Sequence, residues 1–129
     1  MTAVEFPLGH VLSITTGALV ANNRADGLYE ILNYMTGDNL FTHALPRAAD
    51  VCKPHLIAQH PLLADIHFPR YEFEHRNPNV SAERWCRRWV DDVAQVLGSR
   101  LPVEPLPPGV WASKDPFTEL ADIEARREV

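Results

Sequence analysis

The clearest periodic pattern of apolar and polar positions lies between residues 81 and 98. Apolar side chains recur there at helical spacing, at Trp85, Trp89, Val93 and then Val96 or Leu97. Ser81 is a good N-cap residue, Glu83 would lie in the positively polarised first turn, and Gly98 follows the last apolar position. This stretch is therefore predicted to form an amphipathic helix that buries one stripe.

Two other helices are predicted in the first half of the chain. The earlier one follows Gly27, with Asp26 as its N-terminal cap. Its apolar positions are Leu28, Ile31, Leu32 and Met35. The turn at Gly37-Asp38 predicts where this helix ends, because glycine readily adopts the positive φ that often closes a helix.

The later of these two helices is predicted to begin near Pro46, since a proline in the first turn loses no hydrogen bond. One face would carry Ala48, Val51, Cys52, His55, Leu56 and Gln59. Pro54 removes a bond to the carbonyl of Asp50, which predicts a kink or a restart at that point. The pair His60-Pro61 predicts the end of the helix.

The remaining segments are predicted to be extended or irregular. β-Branched residues favour a strand over His10–Thr16. Prolines leave residues 62–80 irregular, with at most a short edge strand at Tyr71–Glu74. The proline-rich stretch at residues 101–111 predicts an extended edge or a wrap over the core.

The tail from Asp115 predicts a short terminal helix, with loosely spaced apolar positions in a polar segment. All of these elements together predict one small α+β domain over residues 1–129. About three main helices would pack on a short strand or small sheet, with residues from about 112 to 129 as a C-terminal arm.

The composition is that of an ordinary globular protein, with 46% hydrophobic and 22% charged residues among 129. A formal net charge of -5 argues against non-specific nucleic-acid binding, which relies on Lys and Arg to neutralise phosphates. No segment looks like a signal peptide or a membrane span. Cys52 and Cys86 do not form the paired framework of a secreted protein. We therefore expect a cytoplasmic protein with reduced thiols.

The sharpest candidate for a metal site is a set of four side chains, His43, Cys52, His55 and His60. Cys52 and His55 are three apart and could form half of a tetrahedral zinc site. A second tight pair is lacking, and Pro54 lies inside the half-site. We therefore predict no metal, with Cys52 buried as a small apolar residue and His43 serving packing or capping.

The case for catalysis by the other polar residues is weaker than the case for a metal site. Cys52 or Cys86 could act as a nucleophile beside a histidine and either Asp38 or Asp50. A second polar cluster comprises His67, Glu72, Glu74 and His75. We interpret its alternating carboxylates as the solvated side of an edge strand, and we predict no catalytic residue.

Arginines with aromatic neighbours would allow a small anionic nucleotide to be recognised by stacking and paired hydrogen bonds. These arginines are Arg47, Arg70, Arg76, Arg84, Arg87 and Arg88. We prefer the simpler interpretation, that these are ordinary surface arginines. No phosphate-binding glycine loop or dinucleotide fingerprint is present in the sequence, so no cofactor is predicted.

Several stretches of the chain resemble an uncharacterised family of small proteins from bacterial viruses and prophages. They are "PLGHVLSITTG", "GLYEILNYMTGDNLFTHALPRA", "CKPHLIAQHPLL" and, more loosely, "LPVEPLPPGVW…DPFTEL". The resemblance implies a viral accessory protein that works in the host bacterial cell. Many such proteins block host defences, CRISPR systems included. The resemblance carries no catalytic residues with it.

The expected function is therefore that of a non-enzymatic inhibitor that binds and occludes or locks a host defence complex. Its partner-binding residues are predicted to be acidic side chains and exposed aromatic anchors. They are Tyr71, Phe73, Asp91, Asp92, Trp111, Glu119, Asp122 and Glu124. The alternatives are a small-ligand binder that sequesters a signalling nucleotide and a metal-dependent enzyme that uses the His/Cys set.

Overall fold

Helices dominate the computed structural model, which describes residues 3–21 and 25–127. The described elements in chain order are β1 (Val4–Pro7), α1 (Leu8–Thr16), α2 (Ala25–Thr36), α3 (Leu45–Gln59), α4 (Arg70–Glu74), α5 (Ala82–Leu97), β2 (Arg100–Val103) and α6 (Pro116–Arg127). Two 3₁₀ helices, Thr42–Ala44 and Pro61–Asp65, flank α3. The predicted small α+β fold is confirmed, since these helices surround one small sheet.

Helix α1 replaces the strand that was predicted over His10–Thr16, so that prediction was wrong. Every residue from Leu8 to Thr15 is buried, because α2, α3, α5 and the sheet all contact this helix. A helix enclosed on all sides needs no polar face and shows no helical period in its sequence. Its β-branched residues lower helix propensity only slightly, and tertiary packing outweighs that preference.

Ser13 shows how α1 accommodates buried polar atoms. Its hydroxyl donates to the carbonyl of Gly9 at 2.8 Å and accepts the backbone N–H groups of Val20 and Ala21 at 3.0 and 3.1 Å. Buried polar groups are tolerated when such partners are present. The segment after α1 is thereby held against the helix.

Helices α2 and α3 confirm the two helices that were predicted for the first half. Helix α2 ends at Thr36, and Gly37 follows it with a φ of 70°, as expected. Helix α3 continues through Pro54 to Gln59, so the predicted restart at Pro54 does not occur. The Asn and Asp residues of the segment 21–26 predict a loop, of which residues 22–24 lie outside the described residues. Ala25 and Asp26 belong to the first turn of α2, so Asp26 is not its N-terminal cap.

The sheet pairs β1 with β2 in antiparallel register, with Phe6 opposite Leu101 and Val4 opposite Val103. This pairing confirms the extended edge that was predicted for the proline-rich segment. Residues Tyr71–Glu74, in contrast, lie in the short helix α4, and the predicted edge strand is wrong. Pro69 precedes this single helical turn, which packs against α5.

The predictions of helix α5 and of the terminal helix are both confirmed. Helix α5 begins after Ser81, whose hydroxyl accepts the backbone N–H of Arg84 at 3.1 Å, and Gly98 follows its last turn. Helix α6 forms the terminal helix and contacts the 3₁₀ helix before α3. Within the described ranges, no helix combines the length and apolar character needed to cross a membrane.

Candidate interaction surface

Helix α5 lies on the outside of the domain, where it contacts α1, α4 and β2. Trp89, Val93 and Leu97 of the predicted stripe pack against the core, whereas Trp85 packs against Phe68 and Phe73, and none of the α5 residues is fully buried. Val96, the other candidate for the end of the stripe, is 76% exposed. The apolar arc of α5 is thus wider than the domain covers.

An aromatic cluster fixes α4 and the preceding loop to α5. The Phe68 ring lies edge-on to Trp89, with 5.4 Å between centroids, and the Phe73 ring meets Trp85 in the same way at 5.4 Å. Such edge-to-face contacts stabilise by about 0.5–1.5 kcal/mol each beyond the area they bury. The cluster therefore makes this part of the surface rigid.

Two shallow apolar grooves run along one side of α5, with cavity volumes of about 260 and 220 Å³. The groove near the C-terminal end of α5 is lined by Leu62, Asp65, Ile66, Val93, Val96 and Leu97. The groove near the N-terminal end is lined by Pro69, Glu72, Trp85, Arg88, Trp89 and Asp92. We call this side of the helix the α5 flank. It comprises Trp85, Arg88, Trp89, Asp92 and Val96 of α5, together with the residues that line the two grooves across from them.

Four of the predicted partner-binding residues lie on α4 and α5. Tyr71 is 69% exposed and stacks on His75 with 4.0 Å between ring centroids. Asp91 and Asp92 are exposed on α5. Phe73 is half-buried in the aromatic cluster and is not the exposed anchor that was predicted. Asp92 therefore belongs to the α5 flank, whereas Asp91 lies on another side of α5, in a groove beside Gly9 and Ser99.

The other predicted residues lie at the opposite end of the sequence, and Glu119 corrects one prediction. Its side chain is 0% exposed, so it is not part of an accessible acidic face. Instead the Arg47 guanidinium donates to both carboxylate oxygens, through Nε at 3.0 and 3.1 Å and Nη2 at 2.9 Å. This paired geometry anchors α6 to α3.

Trp111 is half-buried in the same network, so the prediction of an exposed anchor is wrong here too. The Arg47 guanidinium carbon lies 4.0 Å from its ring centroid, and its Nε1–H donates to Asp38 Oδ2 at 3.0 Å. This bond from Trp111, with a second from Ser113, lowers the pKa of Asp38. Trp111 therefore joins the loop after α2 to α3.

Two acidic residues of α6 remain at the surface. Asp122 accepts a bond from Lys114 Nζ at 2.6 Å, and this bond and charge lower the pKa of Asp122. Glu124 is exposed.

The four candidate metal ligands are not gathered into one site. Cys52 is buried in the core, and desolvation raises the pKa of its thiol to about 12. The His60 ring bonds through Nε2 to the carbonyl of Pro102 at 2.7 Å. His43 lies beside Phe41, with 6.4 Å between ring centroids. Over residues 3–21 and 25–127, no three His, Cys, Asp or Glu side chains are grouped to hold a metal ion.

The arginines that suggested nucleotide recognition divide into two groups. Arg47, Arg70 and Arg76 lie over aromatic rings of the chain itself, at 4.0, 5.8 and 4.6 Å from the centroids. One face of each of those rings is therefore already covered by an arginine of the chain. Arg84, Arg87 and Arg88 are instead exposed on α5.

The feature that sequence reasoning missed is the α5 flank, with Arg88, Val96 and the facing Leu62. The sequence indicated this surface, because the apolar stripe could end at either Val96 or Leu97. A stripe that includes both residues is too wide for one buried contact. A second missed feature is buried His10, whose Nε2 lies 3.1 Å from Glu30 Oε2. This contact joins α1 to α2.

The fold and surface define a small α+β domain with a half-covered amphipathic helix. Residues 6–66 match a family described as a domain of unknown function (DUF7736). The match begins within β1, spans α1, α2 and α3, and ends before α4. No curated protein and no solved structure matches the chain.

Proposed function

We propose that this protein acts by binding another protein and not by catalysis, through Tyr71 and the α5 flank. The observation that carries the proposal is the exposed apolar surface of α5, with Val96 at 76% and the facing Leu62 at 57% exposure. Exposed apolar surface framed by charged residues is typical of protein-binding sites. The rigid aromatic cluster beneath it would lower the entropic cost of binding.

The more specific proposal is that the partner belongs to a host defence complex, CRISPR machinery included, and that binding occludes or locks it in the bacterial cytoplasm. Its support is the resemblance to small viral proteins together with the net charge of -5. Exposed carboxylates such as Asp91 and Asp92 would face a basic surface of such a partner. Charge complementarity of this kind speeds association and selects partners.

The test compares two exposed aromatic residues on different elements. Tyr71→Ala removes the ring on α4, whereas Phe117→Ala removes an 85% exposed ring on α6 and serves as the matched control. Tagged wild-type and variant proteins are used to capture host proteins. The same proteins are expressed in a CRISPR-proficient host that is challenged with a targeted phage.

We expect wild type and Phe117→Ala to retain one stoichiometric partner and to restore plaque formation, and Tyr71→Ala to lose both. Equal behaviour of the two variants would show that the α4 surface is not the binding site. Retention of partner binding without any rescue of plaques would reject the defence complex as the target and keep the binding function.

A further inference from the structure

The charge pattern of the α5 flank is complementary to the same pattern read in the opposite direction. Along one side of the helix the order is Trp85, Arg88, Asp92 and Val96, which reads apolar, positive, negative, apolar. Spacings of three and four residues keep these side chains on one face. If a second α5 runs antiparallel, each Arg88 faces Asp92 of the other copy, and each Trp85 end faces a Val96 end.

Within the part of the chain that the structure describes, the charges of this pattern are not paired. Arg88 and Asp92 lie one turn apart, yet neither forms an ion pair within 4.0 Å with any residue that the structure describes. An arginine that precedes an aspartate by four positions also has the less favourable order for a pair within one helix. Both side chains are therefore available to an external partner.

The shape of the flank suits the same arrangement. Val96 projects at the C-terminal end of α5, and the groove of about 220 Å³ lies beside Trp85 at the N-terminal end. In an antiparallel pair, Val96 of each copy meets the groove of the other. A two-fold contact uses one surface patch twice, as this pattern requires.

We propose that the occupant of the α5 flank is a second copy of this chain, bound as an antiparallel two-fold dimer. The inference rests on the proposed function, because it assigns an occupant to part of the same surface. In such a dimer the α5 flank, Asp92 included, is covered, so the host partner of the proposed function binds outside the flank, at Tyr71 on α4 of each copy. Because the proposed contact uses one side of a single helix of each copy, we expect a dimer that dissociates on dilution.

The experiment is sedimentation velocity over a wide concentration range at low salt. Wild type is expected to shift from 14.5 kDa towards twice that mass as concentration rises. Arg88→Asp and Asp92→Arg are each expected to stay monomeric, since each places like charges opposite one another. An equimolar mixture of the two variants is expected to dimerise, because one flank is then acidic and the other basic.

The double variant R88D/D92R should recover the wild-type behaviour, because it reverses every facing pair. Lys53→Glu, an exposed reversal on α3, is the control of equal charge change and should dimerise as wild type does. Far-UV circular dichroism of each variant establishes that it is folded. A variant that fails to fold is replaced by Val96→Glu, which should also be monomeric.

A wild type that stays monomeric throughout, or a mixture that does not associate, would overturn the proposal. The flank would then be occupied by a different partner, such as a basic amphipathic peptide. This failure is distinct from failure of the proposed function. If the wild type is monomeric and Tyr71→Ala loses the captured partner, the proposed function stands without the dimer. If the wild type is dimeric and captures the same proteins with and without Tyr71, the dimer stands without the proposed function.

Discussion

Replacement of Arg47 by Met is expected to be the most destabilising single change in the network that holds α6. Glu119 is fully buried, and Arg47, at 17% exposure, supplies three hydrogen bonds to its carboxylate. The substitution keeps an unbranched apolar stem against Trp111 but leaves a buried carboxylate without its counter-charge. Removing one partner of a buried ion pair costs about 3–5 kcal/mol.

The location of Glu119 sets an upper limit on this loss. Helix α6 packs chiefly on the 3₁₀ helix Thr42–Ala44, so it can detach and carry Glu119 into water while the core stays folded. If the free energy that holds α6 on the domain is smaller than the cost of the unpaired carboxylate, the measured loss of stability equals that free energy. Amide hydrogen exchange separates the two cases, because detachment accelerates exchange in α6 and leaves α1 protected.

Urea unfolding at pH 7, followed by circular dichroism, measures the change. A loss of 3–5 kcal/mol corresponds to a fall in Tm of about 10–20 °C for a domain of this size. The double variant R47M/E119L should recover most of this loss, since an apolar pair of similar volume often replaces a buried ion pair without cost. Glu119→Gln alone should lie between wild type and Arg47→Met.

Two results would refute the reasoning. If Arg47→Met unfolds within about 1 kcal/mol of wild type with fast exchange in neither α1 nor α6, Glu119 is not held as a buried charge. If Arg47→Met and R47M/E119L lose equal stability, the loss comes from altered packing and not from an unpaired carboxylate.

Three further predictions follow from single contacts. Gly9→Ala should destabilise by about 1–3 kcal/mol in urea unfolding, because a Cβ there would lie 2.9 Å from the Val20 carbonyl oxygen; unchanged stability would contradict this close packing. Cys52 should resist iodoacetamide at pH 8 until the protein is unfolded, because burial raises its thiol pKa to about 12, and modification of the native thiol seen by mass spectrometry would contradict that burial. The lowered pKa of Asp38 stabilises the fold above its ordinary value of 3.8, and this stability is lost as the pH falls through the folded-state pKa. Trp111→Phe should therefore lose more stability at pH 7 than at pH 3, and an equal loss at both would refute the assignment.

Sequence reasoning succeeded where a helix has one face in the core and another in water. Helices α2, α3 and α5 each show that contrast, and their positions were predicted closely. Gly37 and Ser81 are local signals that act through backbone geometry alone, so they needed no knowledge of the fold. Helix α1 was mistaken for a strand because its position in the centre of the domain removes the polar face that reveals a helix.

Long-range pairing explains why the candidate site was harder to predict. Glu119 looked like one more carboxylate in a polar tail, and only the fold brings it to Arg47, 72 positions earlier. The α5 flank has the same character, since the exposure of Val96 depends on where the segment before α4 crosses the helix. Such relations are absent from local periodicity.

The second half of the chain supplies elements that pack against the segment that matches the family. Strand β2 is the partner of β1, and its Leu101 and Val103 are buried in the same core as α1. Helix α5 covers α1, and α6 neutralises Arg47 of α3. Residues 6–66 alone would therefore expose an apolar helix that has no polar face, and would leave an arginine unpaired. The α5 flank is thus a surface of the element that closes the core, so that binding at the flank and stability of the fold depend on the same helix.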